Sequence, residues 1–445
     1  MLLSRSYQFI LPSMQYYSLH NPQLKVDFRE ATILGQAPDK GLFFPELIPT
    51  YSAAEWEELL HLPAEQMAFR IMQPYVGESI PASALQEIIA ETLSFPFPLV
   101  PVTSSLYGLE LFHGPTLAFK DVGARFMSRC LGYFFQSHPK KVTVLVATSG
   151  DTGGAVASGF LGVAGVEVVI LYPKGKVSPV QELQLTTCGQ NITALAVEGS
   201  FDDCQFMVKE AFMDADLQKH RQLTSANSIN VARWLPQQLY YILACQQWPK
   251  QLPLPVVSVP SGNFGNLCAG LVAWKSGLPV HHFIAACNAN DSVAAYLQGA
   301  AFSPQKAIPT ISNAMDVGNP SNFIRILELF QQDTDRIRSL VSGYTISDAD
   351  TKATIERVYR AYQYVLDPHG AVAMLALEKY LADHISEAGF FLATAHPVKF
   401  PETVETAIGK QLEMPAAAKD LIGKTSHSIF MAPDFAQFKV WLLNR

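Results

Sequence analysis

Three short strings in this chain combine residue types that could do chemistry. The first is Ser261-Gly-Asn-Phe-Gly-Asn266, lying between a β-branched run and a helical pattern. Its glycines let the backbone approach a ligand closely, and free N–H groups at a helix start attract anions. It is neither a G-x-x-x-x-G-K-[ST] phosphate loop nor a G-x-G-x-x-G dinucleotide fingerprint. A tight turn with no ligand is the plainer alternative. The second is Ala147-Thr-Ser-Gly-Asp-Thr-Gly-Gly154, in the same strand-turn-helix context, where Ser149, Gly150, Asp151 and Thr152 could hold a carboxylate or phosphate. The alternative is a helix start capped by Ser or Asp. The third is His113-Gly-Pro-Thr-Leu-Ala-Phe-Lys-Asp121, in which Lys120 follows an apolar stretch. A lysine in partly apolar surroundings has a lowered pKa, which suits imine formation; an isolated lysine is otherwise an ordinary surface charge.

Taken together, an imine-forming amine and two anion cradles are what pyridoxal-phosphate chemistry requires. One cradle serves the cofactor phosphate and the other serves the carboxylate of an amino-acid substrate. The elements that must position these groups follow from periodicity. Runs at 142–148, 166–173, 256–260 and 390–396 read as strands, with helical segments between them. That alternation implies parallel sheets covered on both faces, with ligands bound beyond the carboxyl ends of the strands. The first hundred residues read as mainly helical. Ser52 to Glu55 is a capping box, 84–93 is a second helix, and the Pro-rich stretch 95–101 marks a boundary. Two long helices fill 348–384, capped near Ser347 and separated at Asp367-Pro-His-Gly370.

The chain has 445 residues and 49% hydrophobic residues, enough for two or more domains. A formal charge of −7 without like-charge runs speaks against nucleic-acid binding. No apolar run reaches the ~18 residues that span a bilayer. The six cysteines are widely spaced, indicating neither a zinc site nor a disulfide framework and fitting a reducing cytoplasm. Residues 1–13 lack the layout of a signal peptide and read as a dispensable extension or an over-called start before Met14.

From about Met14 to Phe400 the chain resembles the threonine synthase family, a branch of the fold-type II pyridoxal-phosphate enzymes. FREATILGQAPDKGLFFP (28–45) resembles the family's opening signature, and HGPTLAFKD its cofactor-lysine motif. TSGDTGG resembles the substrate-carboxylate loop; sibling cysteine and cystathionine synthases usually carry Asn at the Asp151 position. YPKGKVSPVQ (172–181), NSINVARW (227–234), SNAMDVGNPSNF (312–323) and ATAHPVKF (393–400) are similar to further family strings, in family order. The resemblance implies a tryptophan synthase β-like fold. Two open twisted α/β domains hold the cofactor between them, joined by a helical N-terminal region. It implies an N-terminal region over 14–98, a catalytic region of two interleaved lobes over 99–400 and a C-terminal segment over 401–445. Lys120 would bind the cofactor as an imine. Gly262, Asn263, Phe264 and Gly265 would clamp its phosphate with Asn266 beside them, and Thr394 would lie near the ring nitrogen. Some relatives carry Asp where this chain has Asn266.

The implied substrate is O-phospho-L-homoserine, turned with water into L-threonine and phosphate. Ser149, Gly150, Asp151 and Thr152 would bind its carboxylate. Lys174, Lys176 and Arg233 are candidates for its phosphate, with Asn319, Ser321 and Asn322 adding neutral hydrogen bonds; each cation could instead be a solvated surface charge. The resemblance points to a cytoplasmic monomer or weak dimer with no nucleic-acid, membrane or metal partner. Two rivals stay open. Threonine or serine dehydration needs no second phosphate site and would act on unphosphorylated amino acids. A non-catalytic relative would bind cofactor without turnover.

Overall fold

The computed structural model describes residues 14–445 apart from 137 and 139. The extension expected over 1–13 lies outside the described residues. Among the described residues, fourteen strands follow in chain order: β1 (Tyr16–Ser18), β2 (Lys25–Val26), β3 (Phe43–Pro45), β4 (Leu99–Pro101), β5 (Leu106–Glu110), β6 (Val142–Ala147), β7 (Val166–Pro173), β8 (Ile192–Val197), β9 (Gln222–Ser225), β10 (Val256–Pro260), β11 (His282–Cys287), β12 (Val341–Thr345), β13 (Gly389–Ala393) and β14 (Ile429–Met431).

Eleven of them form the sheets of two α/β lobes. One sheet has the order β12-β11-β10-β13-β5-β4, and the other β14-β8-β7-β6-β9. The second is parallel throughout, and the first is parallel except for β4 at its edge. β6, β10, β11 and β13 are buried at every position, as sheets covered on both faces demand. The sequence-predicted strands at 142, 166 and 256 begin at those residues. The late one ends at Ala393, and 394–396 run on to pair with the loop before Lys120.

The N-terminal region holds the helices Phe28–Leu34, Ala53–His61, Ala64–Val76 and Ala82–Thr92. The Ser52–Glu55 capping box forms as read. An antiparallel sheet β2-β1-β3, absent from the sequence reading, accompanies the helices. Its strands have two or three residues, too short to show alternation. The Pro-rich stretch does more than break a pattern, because its end becomes β4, an edge position that tolerates proline. The region shares one apolar core with the sheets, from Met14 to Leu392.

The helices Asp348–Tyr362 and Pro368–Asp383 are capped by Ser347 and Asp367, as their sequences indicate. Beyond residue 400 the chain serves both lobes. The helix Pro401–Ile408 packs on Asp348–Tyr362, β14 extends the second sheet, and the helix Phe435–Leu443 lies against Phe201–Met213. Among the described residues no helix is long and apolar enough to cross a membrane.

Candidate active site

Lys120 opens the helix Lys120–Phe135 where the two lobes meet. The loop before it is stitched to the strand extension after β13: Phe119 N–H donates to Thr394 O at 2.9 Å, and His396 N–H to Leu117 O at 3.0 Å. The Tyr240 hydroxyl donates to the Phe119 carbonyl from the opposite side. Thr394 is therefore buried one residue past β13, next to the backbone that presents Lys120. Asp121 secures the loop itself, accepting from Thr116 N–H at 3.0 Å and Thr116 Oγ1 at 2.5 Å.

The Lys120 amine meets a chain of buried charge. Its Nζ is 3.8 Å from Asp151 Oδ2, while Asp151 Oδ1 is 2.6 Å from Lys399 Nζ and 2.9 Å from Gln181 Nε2. Lys399 is fully buried and also donates to Thr116 O at 2.9 Å. Burial drives the Lys120 pKa down, Asp151 opposes this, and the positive charges of Lys399 and Arg233 lower it further. Burial alone would raise the Asp151 carboxyl, yet Lys399 and Lys120 hold it well below the usual carboxylate range. A lysine poised toward its neutral form beside a fixed carboxylate can form imines and carry protons.

Two cradles stand at the carboxyl ends of β10, which pairs with β13, and of β6, whose loop carries Asp151. After β10, Phe264 takes a left-handed conformation (φ 61°) and starts the helix Gly265–Lys275 without a side-chain cap. Strain of this kind persists where function requires the geometry. The N–H groups of Asn263, Phe264, Gly265 and Asn266 have no acceptor among the described residues. A Cβ at Gly262 would lie 2.7 Å from Met315 Cα, so this turn admits only glycine. Four unpaired amides at a helix start are the donor set a phosphate monoester needs, so the residues fit the phosphate of pyridoxal phosphate.

After β6, Thr148 Oγ1 accepts from Gly150 N–H and Gly153 N–H at 3.0 and 2.9 Å and shapes the loop. The N–H groups of Ser149, Asp151 and Thr152 remain without acceptors among the described residues. Gly150 has φ 137°, and a Cβ there would meet the Gln181 side chain at 2.4 Å.

Other expected site residues are placed unevenly. Arg233 is buried near Lys120, and its Nε and Nη1 lack hydrogen-bond partners among the described residues. Lys174 and Lys176 stand instead on the exposed turn after β7, with Lys174 Nζ 3.3 Å from Glu198 and Lys176 acting on Asp203. The Asp151 carboxylate is committed to cations and Gln181, so the loop's anion donors are its backbone N–H groups. The Asn266 side chain turns inward to Pro260 O at 2.8 Å, leaving only its N–H for a ligand. Asn263 is tied to Ser228 Oγ at 2.6 Å and to Ser321 N–H at 2.6 Å, and Asn322 to Asn263 O at 3.0 Å. Asn319 is exposed.

Comparison with known proteins assigns the fold and the family. The family model for pyridoxal-phosphate dependent enzymes matches residues 98–393. Models for the threonine synthase N terminus and C-terminal region match 15–93 and 370–440. The threonine synthase of Haemophilus influenzae is 44% identical over 97% of this chain and 100% of its own length. The chain belongs to the threonine synthase family. Its fold matches the crystal structure of threonine synthase from Escherichia coli with TM-score 0.89 and 42% identity, covering 97% of this chain and 99% of that one. A pyridoxal-phosphate-bound threonine synthase from Brucella melitensis matches with TM-score 0.91 and 33% identity over 97% of this chain and 99% of that one. Like its family, the chain is a pyridoxal-phosphate-dependent lyase of the fold-type II class.

Sequence reasoning passed over Lys399, Thr148 and Gln181. Lys399 lies inside ATAHPVKF, from which only Thr394 was taken. A lysine between Val and Phe directly after a buried strand is the signal that could have found it. Thr148 and Gln181 carry no such mark, because their partners arise from the meeting of separate loops.

Proposed function

We propose that this site converts O-phospho-L-homoserine and water into L-threonine and phosphate. The observation that supports this most directly is the buried charge chain Lys120–Asp151–Lys399 set between two anion cradles, with the unpartnered Arg233 beside it. Pyridoxal phosphate, when bound, supplies an electron sink for negative charge developing on the substrate's carbon atoms.

The residues divide the work. The 262–266 turn would hold the cofactor phosphate on its amides, and Lys120 Nζ would bind the cofactor. Thr394 would offer the ring nitrogen a neutral hydroxyl, which does not force a positive charge on the ring. The amides of Ser149, Asp151 and Thr152 take the substrate carboxylate. The neutral Lys120 Nζ would take the substrate's α-proton and carry its β-proton. Arg233 receives the departing phosphate on a guanidinium whose Nε and Nη1 have no partner among the described residues. Lys399 fixes Asp151, which keeps Lys120 aimed at the reacting carbons. Lys174 and Lys176 act at longer range, drawing an anionic substrate towards the rim where Asn319 and Ser321 stand. We place the enzyme in the cytoplasm as a monomer or weak dimer.

The test is release of phosphate and threonine from O-phospho-L-homoserine by purified protein, with R233M assayed in parallel. Equal release of both products is expected. R233M should lose tens to about a hundredfold in kcat/KM, the worth of a hydrogen-bonded charge, while its cofactor spectrum is kept. Turnover of unphosphorylated threonine or serine, with none of the phosphorylated substrate, would move the function to dehydration.

A further inference from the structure

Arg325, on the helix Phe323–Leu329, is completely buried. Its Nε and Nη2 donate to Phe43 O at 3.2 and 2.9 Å, and Nη2 also donates to Ile229 O at 2.6 Å. Its Nη1 donates to Asn322 Oδ1 at 2.5 Å and Ser228 O at 3.4 Å. The guanidinium lies over the Trp234 ring, 4.9 Å from its centroid. Burial pushes its pKa down to about 9, which leaves it charged at neutral pH. Every acceptor is a neutral oxygen, and no carboxylate pairs with it among the described residues. Neutral donors could satisfy those carbonyls; a buried full charge calls for an anion.

The missing anion has one direction to come from. Asn322 takes the arginine on its oxygen and donates from Nδ2 to Asn263 O at 3.0 Å and Ser228 Oγ at 3.3 Å. That same Nδ2 is 3.3 Å from the place a Cβ on Gly265 would occupy. The guanidinium thus stands one amide behind the unpaired N–H groups of 263–266. We propose that Arg325 is the counter-charge of the cofactor phosphate. It does not touch the phosphate; it acts through Asn322 and the polarised turn, and makes the cradle select a dianion over a neutral ligand. This rests on the reading of 262–266 as the phosphate cradle. Arg325 is a positioning residue, distinct in place and role from Arg233.

The experiment titrates cofactor-free protein with pyridoxal phosphate and with pyridoxal, following protein fluorescence. Wild type should prefer the phosphorylated ligand strongly; equal affinity would overturn the cradle reading itself. R325Q should lose at least about tenfold of that preference, as expected for one charge acting at an effective dielectric near 20, with pyridoxal affinity little changed. R325K keeps a charge and should restore most of the preference. If both variants weaken both ligands alike while wild type discriminates, Arg325 is only a brace and the proposal falls. A phosphorus NMR titration of the wild-type complex decides the matter if R325Q does not fold. Free phosphate esters take up a proton near about pH 6. The bound resonance should stay in its dianion position through that range, and ordinary titration there would overturn the proposal.

Discussion

At the scale of single residues, the site is organised by charges that cannot reach water. Lys399 has no exposed surface, and its partner Asp151 bonds it at 2.6 Å. Replacing Lys399 by Met keeps the volume and removes the charge. Lys120 then loses a repelling neighbour and gains a larger share of Asp151, and both changes raise its pKa. Lys120 must be unprotonated to accept a proton, so the acid limb of the rate profile should move to higher pH by about one unit or more. Asp151 gives a second readout. Its folded pKa is depressed, so its stabilisation is complete above about pH 4, the ordinary carboxylate value, and fades only as pH falls towards the depressed one. K399M should therefore be less stable than wild type at neutral pH by up to about 3–5 kcal/mol, the range for removing one partner of a buried ion pair, with Lys120 and Gln181 left to hold Asp151. Urea titrations should show the gap narrowing only in strong acid. An unmoved acid limb with unchanged stability would remove Lys399 from the charge chain. In the sequence the only mark of this burial is a lysine set between Val398 and Phe400 after a buried strand, and nothing there points to its pairing with Asp151.

At the scale of elements, what could be read were the runs that bury themselves. β6, β7 and β10 are continuous β-branched stretches ending in turns, and a strand buried on both faces must look like that. The two cradles were legible for the same reason, as glycine-rich turns placed directly after such runs. β5, β9 and β12 read LYGLE, QLTS and VSGYT, in which glycine and polar residues blur any period. The support behind the cradle was equally hidden. Ala314 N–H donates to His369 Nε2 at 3.2 Å, and His369 Nδ1 is 2.6 Å from Asp367 Oδ2, so a buried dyad at one helix start pins a loop from elsewhere in the chain. That pinned loop is what Gly262 faces. G262A would push a methyl to 3.0 Å from Ala314 O and closer still to Met315 Cα, and the loop cannot retreat from the dyad. The variant should lose about 1–3 kcal/mol of stability by overpacking. Its cofactor affinity should fall at least tenfold, measured by titrating the cofactor-free form. Unchanged affinity and unfolding midpoint would show that the loop yields.

At the scale of the whole molecule, an acidic protein of net charge −7 gathers cations about its site. Around the site Arg233, Arg325, Lys399 and Lys120 outnumber buried Asp121 and Asp151, while the third buried acid, Asp367, pairs with His369; this suits a reaction whose cofactor and substrate both bring phosphate. Holding those charges together requires two lobes, and the chain after residue 400 clasps both. In the second lobe, Phe438 and Leu442 are fully buried and Met431 nearly so, against Leu195, Val197, Cys204 and Met207. Lys439 reaches Asp214 and Asp216 at 2.8 and 2.7 Å, but on the surface, where such pairs contribute little. The apolar contacts therefore decide. Ending the chain at Lys424 would strip three large side chains from this core, at about 1.5–3 kcal/mol each. The resulting loss, roughly 5–9 kcal/mol, rivals the whole stability of an ordinary domain. No proposed site residue is removed, yet β6 and β7, which carry the Asp151 loop and the turn with Lys174, belong to the lobe that would loosen. The truncated chain should unfold at much lower urea than the full chain and bind cofactor weakly, although 262–266 and Lys120 remain. A truncated chain with the full chain's midpoint and cofactor affinity would mean that the β7–β8 side of the sheet stands without its clasp. The second cradle would then owe its position to the first lobe alone.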